Sequence, residues 1–227
     1  MCGRITLRSD TNQLRGYFRT LQISAWEGPR YNIAPMQEVA TLLNDDSGDV
    51  RMARWGLIPS WAKDMSIGNR MINARAETLL EKPAFKRLVT RKRCAILADG
   101  FFEWKTLPNN RVKQPMYITL RTGEVFGLAG LRDQWATPDG DVITSSTIIT
   151  TSPNALIADI HNRMPVILQP EFVGTWLSAG EVQTETLIAC LKPYPAEEMQ
   201  AVAVSKVVNN ARVDRPECVV PIGETGG

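Results

Sequence analysis

Six segments of this chain, Glu38–Leu43, Val50–Trp55, Cys94–Ala98, Met116–Leu120, Val125–Leu131 and Val142–Thr151, are apolar or alternate between apolar and polar residues over strand length. Successive side chains on a strand face opposite ways, so such runs suit a sheet with one or both faces buried. Turn-forming pairs and triplets such as Asn109-Asn110 and Pro138-Asp139-Gly140 separate several of them. Helical signals are fewer. Ser9-Asp10 suits the cap of a first helix running to about Phe18. Ser152-Pro153 reads as a cap followed by proline at the first helical position, opening a short helix to about Ile160. Pro170–Leu177 and Gln183–Leu191 supply two more. The class expected is α+β: one domain over residues 1–227, the last few residues a tail, built on a curved, barrel-like, mainly antiparallel β-sheet flanked by short helices.

With 227 residues, 44% of them hydrophobic, the chain is long enough to bury a core without disulfides or a metal. Its apolar runs are shorter than a membrane span, and Met1 to Gln13 has no apolar stretch of a signal peptide, so a cytoplasmic protein with no membrane partner is expected. Cys2, Cys94, Cys190 and Cys218 include no CxxC pair, and the single histidine is His161. That pattern points to reduced thiols and away from a metal site, and no cofactor is expected. A monomer is the simplest assembly.

The net charge of +2 hides an asymmetry: residues 1–121 hold 20 Lys or Arg against 11 Asp or Glu, and the remainder hold 6 against 13. Segregation of this kind suits either a solvated surface or a basic face offered to a polyanion.

Six segments break the strand pattern: MCGR at the start, GPRYNIAP at 28–35, RWGLIPSWA at 54–62, MINARAET at 71–78, ADGFFEWK at 98–105 and DIHNRMPVIL at 159–168. They are dense in Arg, Trp, Asn, Glu and His. Removal of Met1 ahead of the small Cys2 would leave an α-amine and a thiol on one residue. Their ordinary pKa values, about 7.7–8.0 and about 8.5, make both partly available as nucleophiles near neutrality. An aldehyde meeting this aminothiol forms an imine, which the thiol closes to a five-membered thiazolidine. Glu103, set among Phe101, Phe102 and Trp104, is either a desolvated carboxylate fit for moving protons or an outward residue of an alternating strand. His161 is either a structural hydrogen-bonder or an acid catalyst on a loop. Asn73 is either a turn former or a neutral group that holds the reacting parts in place. Arg4, Arg75 and Arg163 each lie two positions from one of these residues, where guanidinium forks suit phosphate. Trp55, Trp61 and Trp104 are candidates for stacking bases or wedging a duplex end, with core packing the alternative for each.

Segment by segment and in the same order, these motifs resemble the SRAP family (SOS response-associated peptidase), and the likeness runs from Cys2 to the VSKVVNN stretch at 204–210. The resemblance implies a sensor of abasic sites in single-stranded DNA, or at a junction of single and double strands. It implies a covalent thiazolidine link through Cys2, with weak lyase and crosslink-reversal activity possible on the same site. Cys2, Asn73, Glu103 and His161 would be catalytic: Glu103 acting on the amine and on reversal, His161 on opening of the deoxyribose, and Asn73 on the sugar. Gly3, Arg4, Pro35, Trp55, Trp61, Arg75, Trp104, Thr150 and Arg163 would contact DNA. The family's further Arg after the NAR-x-ET segment is replaced here by Leu79-Leu80-Glu81-Lys82-Pro83, leaving Lys82 or Lys86 to serve. Two rivals stand beside this reading: a thiol peptidase or autopeptidase assembled from Cys2, His161 and Asn73, and a non-covalent single-strand binder.

Overall fold

The computed structural model describes residues 2–10, 12–14, 22–23, 26, 28–108 and 113–223. Among them are thirteen strands: β1 (Ile5–Leu7), β2 (Gln22–Ile23), β3 (Arg30–Ile33), β4 (Glu38–Leu43), β5 (Asp49–Trp55), β6 (Asn73–Arg75), β7 (Arg93–Ala98), β8 (Gly100–Thr106), β9 (Lys113–Leu120), β10 (Phe126–Ala136), β11 (Val142–Thr151), β12 (Met164–Pro165) and β13 (Met199–Ala203). Antiparallel pairing joins β11 to β10, β10 to β7, β7 to β4 and β4 to β5. A parallel contact of β11 with β5, Ser145 beside Arg54 and Ser146 beside Trp55, then closes five strands into a barrel. Closure removes the open edges that β5 and β11 would otherwise present. The expected α+β class, with a barrel-like, mainly antiparallel sheet and short helices, is the one observed.

The second sheet has the order β13-β9-β8-β1-β3 and is antiparallel throughout. Ile5, Ile33, Phe101 and Ile118 on one of its faces join the main core. Its other face is covered by a smaller cluster of Phe102, Tyr117, Val204, Val208 and Cys218. Every residue of β7 is buried, as suits a strand with the barrel interior on one side and further layers on the other. The helices Pro83–Arg91 and Pro170–Leu177 pack against β7. Arg93, fully buried, donates to the carbonyls of Val89 and Thr90 at the end of the first helix and of Trp176 and Ser178 at the end of the second. One guanidinium thus satisfies orphan carbonyls at two helix C-termini, where positive charge is favourable.

Several boundaries differ from expectation. The Ser152-Pro153 start moves to Asn154, whose side chain accepts from Ile157 N, so the helix is Ala155–Ala158; asparagine caps the free N–H groups directly. Asp10 does accept from the backbone of Asn12 and Gln13, with residues 12–14 helical, while the remainder of that helix and the Asn109-Asn110 turn lie outside the described residues. The helix Pro83–Arg91 was not expected, although Phe85, Leu88 and Val89 give it a buried stripe. Gln183–Leu191 contracts to Thr184–Ala189. All four cysteines are free and buried.

The entry of the chain into the second sheet is set by Asp99. Its buried carboxylate accepts from Thr6 Oγ1, from the backbone N–H groups of Arg8 and Ser9, and from Ser9 Oγ, pinning the middle of β1 and the two residues after it to the β7–β8 corner. Asp99→Ala would orphan those donors in a dry setting at a cost of about 3 kcal/mol. For a domain of this size that is a fall in thermal midpoint of roughly 6–12 °C, to be read by calorimetry.

Candidate functional site

Cys2 and Gly3 lead into β1, and the β1–β8 ladder fixes what they face. Ile5 pairs with Phe101, and Phe102 N donates to Arg4 O at 2.9 Å, so the same register carries Gly3 opposite Glu103. Cys2 itself is fully buried in the main core. Asn73 reaches it from another direction. The strand β6 lies parallel on β11, with Asn73 beside Ile148, and Asn73 Nδ2 donates to Cys2 O at 2.8 Å. Asn73 Oδ1 is buried and has no donor among the described residues.

Glu103 is 2% exposed, which settles the choice between a desolvated carboxylate and an outward strand residue. Burial pushes its carboxyl up, against the pull of neighbouring positive charge that includes His161. Burial likewise pushes the Cys2 thiol far up, and the nearby charge of Glu103 adds to the effect. Both effects hold the proton on the Cys2 sulfur more tightly than on an ordinary thiol.

His161 follows the helix Ala155–Ala158, its N–H bonded to Ile157 O at 2.8 Å. Its Nδ1 accepts from the backbone N–H of Arg163 at 3.0 Å. Its Nδ1 also lies 3.2 Å from Arg163 O, so the main chain of Arg163 presents both a donor and an acceptor to that one ring nitrogen. Glu103 feels both Cys2 and His161, and Asn73 touches Cys2, so the structure brings these four residues together.

The expected DNA-contacting residues divide by exposure. Trp61 is 66% exposed on a loop held from beneath: Ser60 N donates to Asp133, Trp135 Nε1 donates to Ala62 O, and Gly56 faces Gly68 so closely that a Cβ on either would lie within 2.8 Å of the other's carbonyl oxygen. Arg75, Lys82 and Lys86 are exposed, and Gly3 and Pro35 are partly so. Trp55 is a correction. It is fully buried in the core with Nε1 donating to Ile72 O, so its ring offers no face to a base. Trp104 is half-buried, bonded to Asn209 Oδ1 and lying under the Arg4 guanidinium. Arg4 and Arg163 are not the open forks expected. Arg4 Nη1 is spent on Asn32 Oδ1 and Val208 O, and both terminal nitrogens of Arg163 are bonded to Glu77. Thr150 is buried, its hydroxyl donating to Ala74 O and its carbonyl accepting from Arg163, which gives it a supporting place rather than a surface one.

Sequence reasoning passed over Asn32, Glu77 and Asp214. Asn32 is fully buried and ties Arg4 to the carbonyls of Val208, Asn210 and Val213. Asp214 accepts from Tyr31 N, Asn32 N and the Arg30 side chain, so the YN stretch is gripped from both sides. Asn32 and Glu77 lie inside the quoted motifs, but nothing local marks them as tying distant segments together. Among the described residues no group of three His, Cys, Asp or Glu is placed to hold a metal ion, and no helix is long and apolar enough to cross a membrane.

The family model for SOS response associated peptidase (SRAP) matches residues 1–211. "Abasic site processing protein YoqW" of Bacillus subtilis (strain 168) is 46% identical over 223 residues, covering 96% of this chain and 99% of that protein. "Abasic site processing protein HMCES" of Pongo abelii is 35% identical, covering 86% of this chain and 65% of its own length. The fold is similar to an X-ray structure of a protein from Bacteroides thetaiotaomicron, with a TM-score of 0.86 at 26% identity over 96% of this chain and 98% of that one.

The raised carboxyl of Glu103 has a consequence for stability. A carboxyl held above its unfolded value costs nothing while protonated in both states, below about pH 4. The cost grows as pH rises from there toward the folded value, because the unfolded chain ionises first. Glu103→Gln should therefore raise the thermal midpoint at neutral pH, with the gain vanishing below about pH 4. Thermal melts of both proteins across that range test the sign.

Proposed function

The chain belongs to the SOS response-associated peptidase (SRAP) family, and with that as premise we propose that it captures abasic sites in single-stranded DNA by a covalent bond to Cys2. Abasic site processing is what the names of its relatives state. The observation that carries the reading to this chain is the meeting of Cys2, Asn73 and Glu103: the Cys2 carbonyl is fixed by Asn73 and a buried carboxyl is electrostatically coupled to the thiol.

Removal of Met1 puts the α-amine on Cys2. Glu103 takes a proton from the ammonium, and the free amine attacks the C1′ aldehyde of the ring-opened deoxyribose. Loss of one water gives the imine. The thiol then adds across the carbon–nitrogen double bond, its sulfur to carbon and its proton to nitrogen, closing the thiazolidine. Burial that keeps the thiol protonated suits this order, with the amine acting first and the S–H delivering both sulfur and proton. His161 is the acid that protonates the ring oxygen as the hemiacetal opens, its ring held at Nδ1 by the main chain of Arg163. Asn73 Oδ1, buried without a donor, is an acceptor for the new amine. Proton return by Glu103 serves reversal, and β-elimination from the imine gives a weak lyase activity. The same burial works against a peptidase, which needs a thiolate.

Base readout has no part in recognising a lesion without a base, so affinity rests on backbone and stacking contacts. The exposed Trp61 ring and Arg75 guanidinium are the groups proposed to supply them. Two experiments follow. Single-stranded DNA with one abasic site should give a heat-stable shifted band on a denaturing gel with the wild-type protein and none with Cys2→Ala or Cys2→Ser, both still binding; a stable adduct with Cys2→Ala ends the proposal. Arg75→Ala should weaken binding and lower the slope of log affinity against log salt by about one. Unchanged affinity at low salt would remove Arg75 from the phosphate contacts.

A further inference from the structure

Arg163 carries two roles in two parts of one residue. Its backbone N–H donates to His161 Nδ1 at 3.0 Å. Its guanidinium meets Glu77 as a fork on a fork, Nη1 to Oε1 at 2.8 Å and Nη2 to Oε2 at 2.9 Å, while Nη2 also donates to Thr150 O at 2.6 Å. Such a bidentate pair fixes the guanidinium plane as well as its position. The second anchor is rigid, because Thr150 is buried in β11 and paired there with Arg75 of β6. Glu77 itself sits in the single turn Ala76–Thr78 that follows β6 directly. A surface carboxylate therefore ties the segment holding Asn73 to the segment holding His161, and its depressed pKa has the Arg163 bond as its largest cause.

We infer that Glu77 is a positioning residue for His161, acting through Arg163. The Arg163 main chain orients the imidazole through its N–H and C=O, 3.0 and 3.2 Å from Nδ1, only while Glu77 and Thr150 hold that main chain in place. Loss of the Glu77 fork lets the His161–Arg163 loop sample geometries in which Nδ1 loses its Arg163 partners. A half-exposed ion pair adds little to global stability, so the fold survives its removal. The inference rests on the covalent-capture reading for its kinetic consequence, but not for its structural one.

The test uses the full chain with 15N-labelled histidine. One histidine gives one imidazole spectrum. Without DNA, the wild type should show one sharp, fixed imidazole environment, Glu77→Ala shifted and exchange-broadened imidazole signals, and Glu77→Gln, which keeps one acceptor oxygen, an intermediate pattern. With abasic DNA, Glu77→Ala should lower the saturating rate of adduct formation about tenfold, within what a misplaced general acid costs, and leave the half-saturating DNA concentration nearly unchanged. An unchanged imidazole spectrum, or an unchanged saturating rate, overturns the inference. A shift in half-saturation alone does so too, and assigns the Glu77–Arg163 pair to phosphate binding. If the wild type forms no adduct, covalent capture fails while the DNA-free spectrum still decides the role of Glu77.

Discussion

The three residues of β6 lie parallel along β11, and the relation between four distant segments depends on that pairing. It sets Asn73 against the Cys2 carbonyl, turns Arg75 outward and leads straight into Glu77. On the far side of β11, β12 pairs with Thr150 and Thr151 and brings the His161–Arg163 loop alongside. A parallel strand this short cannot hold its place by its own hydrogen bonds. It is held because the same edge of β11 is already committed to β5 by barrel closure, and because Trp55 bonds to the carbonyl of Ile72 just before it and Thr150 to that of Ala74 within it. The barrel is thus the frame, and the N-terminus is delivered to it by the second sheet.

The site is built from groups that would be more comfortable in water. The thiol of Cys2 and the carboxyl of Glu103 are both buried, burial raises each, and the charge of Glu103 works against ionisation of the thiol. Such burial is a debit to folding, and it is retained where a proton must be held and released rather than lost to solvent. The supporting structure compensates nearby with fully satisfied polar groups: Asp99 beneath β1, and Asn32 with Asp214 beneath Arg4. These fix the backbone on which Cys2 is presented, so that reach and orientation do not depend on the loop alone.

Much of this was legible in the chain itself, and the failures have physical reasons. β4 and β11 fall at the bounds expected of them because clean apolar runs end at turn residues. β8 was not among the six strands expected, although an alternating strand was one of the two readings of Glu103; a strand burying its carboxylate joins the two readings that local sequence sets against each other. The helix Pro83–Arg91 is charged on most of its surface, and its three buried residues were too few to stand out. Trp55 and Trp61 belong to one short segment and look alike locally. Only the register that puts Trp55 beside Ser146 inside the closed barrel tells them apart. Arg163 and Arg4 resemble phosphate forks in sequence because their partners, Glu77 and Asn32, are 86 and 28 residues away. Thiol burial at Cys2 has no local signal either; it arises from sheets formed by residues far along the chain.

The central claim is that one residue supplies both bonds to the lesion. Mass mapping of the adduct, digested without prior borohydride reduction and treated with an alkylating reagent, addresses it directly. The account predicts the sugar remnant on Cys2, one water lost in total, and a sulfur that no longer alkylates. A remnant on a lysine, or on a Cys2 whose thiol still alkylates, would contradict it.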